Sequence, residues 1–134
     1  MPLDRRRFLA DLGGGMAGIA LGSMAGAVLL VNNFRDREAD ARVGRHTLAV
    51  VAGPQVTTAL YGAMMLLPFA LLLPIARALP QRPVALAFAA LPPALLLIRR
   101  FVRESNGRGF NRILASTVQV QALFSLLLAA GLVL

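Results

Sequence analysis

Four apolar stretches alternate with three charged or proline-broken connections along this chain. The stretches run from Gly13 to Val31, Val56 to Ile75, Val84 to Ile98 and Ile113 to Leu134. A helix crossing a bilayer needs about 20 mostly apolar residues at about 1.5 Å of rise each. The second and fourth stretches meet that length. The first is diluted by Gly and Ala, and the third is short, with Pro92 and Pro93 inside it. Pro68, Pro74, Pro92 and Pro93 predict kinks. The connections are Asn32 to Pro54, long and charged; Arg77 to Pro83, short; and Arg99 to Arg112, with a turn signal at Asn106-Gly107. The pattern predicts an all-α, polytopic membrane helix bundle of about four transmembrane helices.

Composition supports lipid as the solvent. Hydrophobic residues make up 57% of the 134, against about 45–50% in ordinary soluble domains. The formal charge is +8 and all fourteen basic residues are Arg. In a soluble protein that excess would suggest nucleic acid. Here Arg marks the loops that stay in the cytoplasm, so no nucleic-acid partner is expected. The first and third connections hold nine Arg between them and the second holds two, Arg77 and Arg82. That imbalance predicts the first and third connections on the cytoplasmic side of a bacterial inner membrane. The absence of Cys excludes a disulfide framework and thiolate metal sites.

The N-terminus disagrees with this orientation, because Arg5, Arg6 and Arg7 would fall on the opposite side. Arg5-Arg6-Arg7-Phe8-Leu9 before a Gly/Ala segment resembles a twin-arginine export signal, with Ala25-Gly26-Ala27 as a small-residue cleavage site. A basic start before a membrane helix is the plainer alternative. The expected organisation is a basic segment over residues 1–12, foreign to the rest of the chain, and a membrane domain over 13–134.

The chemistry-bearing residues cluster just after the first apolar stretch. Asp36 and Asp40 are four apart, so on a helix they share a face about 5–6 Å from one another. Asn32 extends that face by one turn. Such a ladder suits Mg²⁺, which takes one or two carboxylates together with water and substrate phosphate oxygens. The surrounding guanidiniums suit phosphate, which they grip through paired hydrogen bonds. Carboxylates and Arg at the mouth of an apolar bundle match a substrate with a diphosphate head and a hydrocarbon tail. A solvated helix face accounts for Asp36 and Asp40 alone equally well.

The longer string is more specific. Asn32-Asn33-Phe34-Arg35-Asp36, then Asp40, then Gly44-Arg45-His46-Thr47-Leu48-Ala49-Val50 resembles the second aspartate-rich motif of the UbiA superfamily of membrane prenyltransferases. It is most similar to the menaquinone-pathway branch, with Arg45 where that branch usually has Lys. Gly109-Phe110-Asn111 through Leu134 is similar to the family's last helix. The resemblance covers roughly Gly18 to Leu134.

The resemblance implies a nine-helix fold around a cavity, of which this chain matches the C-terminal part. It implies transfer of a polyprenyl group from polyprenyl diphosphate to an aromatic acceptor such as 1,4-dihydroxy-2-naphthoate, with Mg²⁺ between two aspartate-rich motifs. By position, Asp36 and Asp40 are the metal ligands and catalytic carboxylates, and Asn32, Asn33, Arg35 and Arg45 lie at the diphosphate. No NDxxD-type first motif occurs: the only Asp residues are Asp4, Asp11, Asp36 and Asp40. The expectation is therefore a partial enzyme, inactive alone, whose N-terminal half comes from elsewhere. The alternative is a non-catalytic membrane protein that binds lipid or a partner subunit through its charged loop. The export-signal reading has no soluble domain to export.

Smaller features carry plainer expectations. His46 fills a loop position, Gly44 suits a tight turn, and Met64 and Met65 suit packing. Thr57, Thr58, Gln119 and Gln121 offer hydrogen bonds between helices. Arg99, Arg100 and Arg103 suit anchors that reach to the interface, with contact to anionic lipid as the sharper option.

Overall fold

A computed structural model describes residues 4–134. It contains α1 (Arg5–Arg42), α2 (Leu48–Ala78), a 3₁₀ segment (Val84–Ala90), α3 (Leu91–Arg103) and α4 (Gly107–Val133). Four helical stretches are long and apolar enough to cross a membrane, the 3₁₀ segment and α3 forming one of them. The expected all-α bundle of four spans is what the chain forms.

The boundaries differ from expectation in two places. The first connection is not a long loop. α1 continues for 38 residues, through Asn32, Asp36 and Asp40 to Arg42, a rod of about 57 Å against a hydrocarbon core of about 30 Å. Its charged last turns project beyond the apolar layer, where helix and charge are compatible. Asp4 starts the rod, its carboxylate accepting the Arg6 N–H at 3.0 Å. The twin-arginine-like residues Arg5 to Arg7 form the first turn of this same helix. The second difference is in the third span. Pro92 and Pro93 do not kink a helix but occupy the first turn of α3, where their missing N–H groups have no intrahelical partner to lose.

α2 has a break of its own. Gly53 takes φ 80° and ψ 172°, a conformation only Gly adopts without strain. Pro54 then begins the long run of the helix, and the Thr57 hydroxyl donates to the Gly53 carbonyl at 2.7 Å. Pro68 and Pro74 lie inside the helix without ending it. Thr57 and Thr58 thus bond back to their own helix rather than across to a neighbour.

α1 packs against α2 and α4, and the 3₁₀ segment lies on α4. Between helices in lipid, close packing and hydrogen bonds replace the hydrophobic effect as the source of cohesion. Met24, Tyr61, Met65, Phe101 and Phe124 are fully enclosed. Gly131 lets the 3₁₀ segment approach: a Cβ there would sit 2.7 Å from the Pro83 carbonyl oxygen. Leu29, Leu73 and Leu126 are 61%, 55% and 70% exposed, which identifies the outer surface as lipid-facing. On α1 that surface includes Gly14, Gly18 and Gly22, spaced four apart with open space beside each.

The antiparallel course puts the end of α1, the start of α2, the end of α3 and the start of α4 together. This charged end carries nine of the Arg residues.

Candidate functional site

The last three turns of α1 form the site. Residues of α1 facing the core include Ala27, Leu30, Val31 and Phe34. At about 100° per residue, Asp36 lies roughly opposite them, while Asp40, one turn farther on, is itself among the buried residues of the helix. They continue the face that carries Gly18 and Gly22.

Arg35 organises the near part of the site. Its Nε and Nη2 donate to the two carboxylate oxygens of Asp36 at 2.8 and 3.0 Å. Nη2 also donates to Asn32 Oδ1 at 2.8 Å, and Nη1 to Asn111 Oδ1 at 2.9 Å. The guanidinium therefore ties the motif to itself and to the start of α4. Hydrogen bonding from Arg35 holds the Asp36 carboxyl below the usual carboxylate range, against a smaller opposing effect of burial. The same bonding raises Arg35.

Asp40 is held differently. Only 8% of it is exposed, and the chain leaving α1 turns back beside it. Gly44 makes the turn at φ 74°, bringing the Arg45 N–H to the Asp40 carbonyl at 2.8 Å. The Arg45 guanidinium then lies 3.5 Å from the Asp40 carboxylate. The tight turn expected at Gly44 is present. Farther along, Thr47 starts α2 with its hydroxyl buried and without a hydrogen-bond partner. His46 is exposed, and Asn33 is half-buried near the carboxylates' face.

An aromatic floor supports this arrangement. Phe34 lies 4.9 Å from Phe101 and 5.2 Å from Phe110, and Tyr61 stacks on Phe101 at 4.3 Å between centroids. Arg37 lies over Phe34, 4.1 Å from the ring centre. Beside these rings is a cavity of about 720 Å³ lined by Arg37, Thr58, Gly62 and Ile98 among others. Neither Asp36 nor Asp40 lines it.

The structure gathers Asn32, Asn33, Arg35, Asp36, Asp40 and Arg45, the site residues expected from the sequence, in one helix end and its returning loop. Three contributors lie beyond that expectation. In the sequence Asn111 is visible only as part of a tail resemblance, Thr47 only as a motif letter, and Tyr61 only as a lone tyrosine. A buried tyrosine hydroxyl needs a partner, and that is the available signal for the bond it makes to Thr117 at 2.8 Å.

Among the described residues no three His, Cys, Asp or Glu side chains converge on one point. An all-protein metal cage is therefore not built here. Two carboxylates and an amide on one helix face do fit a hard cation that shares its shell with water and phosphate.

Comparison with known proteins decides the family. Residues 8–118 match the profile of the UbiA prenyltransferase family. The chain belongs to that family. The UbiA match begins near the start of α1 and runs through the motif into α4. Among curated relatives, UbiA prenyltransferase domain-containing protein 1 of Xenopus tropicalis is 35% identical over 108 residues, covering 81% of this chain and 30% of the relative. The Homo sapiens protein of the same name is 32% identical over the same length, with the same coverage. The 1,4-dihydroxy-2-naphthoate octaprenyltransferase of Bacillus subtilis is 29% identical over 117 residues, covering 87% of this chain and 38% of the relative. The chain thus spans roughly a third of the length of the UbiA proteins it matches. No solved structure matches it significantly. UbiA membership and four spans together make it a multi-pass membrane protein of prenyltransferase descent.

Proposed function

We propose that this chain supplies one wall of a Mg²⁺-dependent prenyl-transfer site, acting on a polyprenyl diphosphate and an aromatic acceptor. The observation that carries the reading is the placement of Asp36 and Asp40. Both lie on one face of α1 at the end of the spans, and each is held by an Arg. Asp36 and Asp40 would hold Mg²⁺, with Asn32 and Asn33 beside them. When bound, the ion would neutralise diphosphate charge and so ease departure of the leaving group.

The chain's own residues then exchange partners. Arg35 and Arg45, paired with the carboxylates in the free protein, turn their donors to the diphosphate oxygens. Guanidiniums suit that role through paired donation to phosphate. The outer apolar surface of the spans accommodates the hydrocarbon tail. In the net reaction the donor's carbon–oxygen bond breaks and diphosphate leaves, while a ring carbon of the acceptor bonds to the prenyl carbon and gives up the group it carried, a proton or, from a carboxylate-bearing carbon, carbon dioxide. Likeness to the Bacillus subtilis relative supports an acceptor of the 1,4-dihydroxy-2-naphthoate type, and with it a role in menaquinone synthesis. Asp36 lies roughly opposite the packed face of α1 and two carboxylates fill only part of the shell of a hard cation, so groups outside this chain would complete the site. We place the charged end in the cytoplasm of a bacterial inner membrane, on the Arg count.

The test is binding of a polyprenyl diphosphate to the chain in lipid nanodiscs, with and without Mg²⁺. Mg²⁺-dependent binding that Asp36→Asn and Asp40→Asn each weaken about tenfold or more supports the reading, since hydrogen bonds to charged groups are worth about 1.5–3 kcal/mol. Binding indifferent to the ion and to both substitutions refutes it. That result would favour a non-catalytic membrane protein that binds lipid or a partner subunit through its charged end.

A further inference from the structure

On the flank away from the carboxylates, α3 and α4 enclose a groove of about 250 Å³. Its character changes with depth. Pro93, Leu97, Val120 and Leu123 line one part, and Arg100, Ser116 and Gln119 line the rest. The helices run antiparallel, α3 approaching the charged end from Pro93 to Arg100 and α4 leaving it from Ser116 to Leu123. The polar part therefore lies toward the charged end and the apolar part lies inside the hydrocarbon layer.

A second groove of about 420 Å³ adjoins the first and shares Arg100 with it, lined also by Leu96, Arg99, Arg103 and Glu104. Among the described residues, none of these three Arg side chains forms an ion pair. Glu104 is the nearby acid, and its Oε1 is engaged by the Ser105 and Asn106 N–H groups at 3.0 and 2.8 Å. Leu95, Leu96 and Val102 around the cluster are 44%, 50% and 61% exposed. The cations thus stand at the margin of a lipid-facing surface with an open apolar slot beneath them.

We propose that this is a binding groove for an anionic phospholipid. One acyl chain lies along Pro93, Leu97, Val120 and Leu123, and the headgroup phosphate sits on Arg100 with Arg99 and Arg103 around it. Three cations against a single engaged carboxylate favour a headgroup of net negative charge over a zwitterionic one. Guanidiniums that emerge at the interface without counter-charge are satisfied by lipid phosphate through charge-assisted hydrogen bonds. The groove is separate from the carboxylate face, so this inference stands whether or not the chain takes part in prenyl transfer.

The test uses the whole chain in phosphatidylcholine vesicles doped with spin-labelled phosphatidylglycerol or spin-labelled phosphatidylcholine. Electron spin resonance reads the motionally restricted fraction of each. Restriction of phosphatidylglycerol above phosphatidylcholine is expected, and Arg100→Gln lowers that preference about fivefold, as for the loss of one interfacial cation. Leu123→Trp, which fills the apolar slot, lowers it as well. Arg108→Gln removes the same charge at the same end but off the groove, and leaves it intact. Equal restriction of the two lipids overturns the proposal, as does an Arg108→Gln loss as large as that of Arg100→Gln. Displacement of the labelled lipid by inorganic phosphate at matched ionic strength also overturns it, since a bare anion site has no use for the acyl slot.

Discussion

Tyr61 and Thr117 form a buried hydrogen bond whose direction the structure fixes. Both residues are fully enclosed, and their hydroxyl oxygens are 2.8 Å apart. Thr117 has one proton, and it goes to the Ile113 carbonyl at 2.7 Å. Tyr61 must therefore donate and Thr117 accept. Removing either end has unequal consequences. Tyr61→Phe leaves Thr117 with its own donation satisfied, and should cost about 0.6 kcal/mol, the average for such bonds in membranes. Thr117→Val preserves shape but strands a phenolic donor in an apolar core, and should cost about 1–3 kcal/mol. The double variant has no stranded group and should be more stable than Thr117→Val alone. The assay is a denaturing-detergent titration of the chain in bicelles, followed by far-ultraviolet ellipticity. If Tyr61→Phe is the more damaging single change, or the double variant is no better than Thr117→Val, the assigned direction is wrong.

Protonating Asp36 removes an acceptor from Arg35; since its carboxyl is depressed when folded, its stabilising contribution is complete above the ordinary carboxylate range and fades as pH falls through the depressed value. Acid titrations of wild type and Asp36→Asn should differ in that window, and superimposable curves would refute the pairing. Arg35→Lys cannot reproduce donation to Asp36, Asn32 and Asn111 together, so the Asp36 carboxyl should rise toward its ordinary value, as read by carboxyl carbon-13 shifts. Gly131→Ala forces a Cβ onto the backbone at Pro83 and Val84 and should cost about 1–3 kcal/mol in the same detergent titration, whereas Gly14→Ala meets open space and should be neutral or stabilising by up to about 1 kcal/mol; equal effects would contradict the close approach. Gly44→Ala places a side chain at φ 74° and should cost about 1–2 kcal/mol, while increased proteolysis between Val43 and Thr47 reports loss of the Arg45–Asp40 contact.

The spans are legible in the sequence because hydropathy measures the same burial in lipid that selects them, and Val56 to Ile75 lies wholly inside α2. The extent of α1 is not legible in that way. Charge suggests a loop, yet once past the apolar layer a helix can carry charge on every side, and Asn32 to Arg42 do so. The kink expected at Pro92 and Pro93 fails for a related reason. A proline pair disrupts a helix interior but suits a helix start, and the sequence does not show that the preceding turn is 3₁₀. In the site, the four-residue spacing correctly puts Asp36 and Asp40 on one face. It does not reveal that Arg35 reaches Asn111, far along the chain on α4, because that contact exists only after the helices pack. Nor does it reveal that Asp40 becomes covered, which depends on where Gly44 sends the chain.

The unbroken course of α1 makes it a rigid shaft. Asp36 follows Gly18, and Asp40 follows Gly22, by about five full turns, so the glycine face and the carboxylates are indexed to one another. Whatever packs along the glycines in the membrane would also set the height and azimuth of the carboxylates at its surface. One residue inserted between Leu29 and Asn32 would advance the carboxylates by about 1.5 Å and swing them by about 100° relative to the glycines. The bonds that join Arg35 to Asn32 and Asp36 lie wholly beyond the insertion and would survive it. The tie from Arg35 across to Asn111 would not, and the two ends of the shaft would point in different directions.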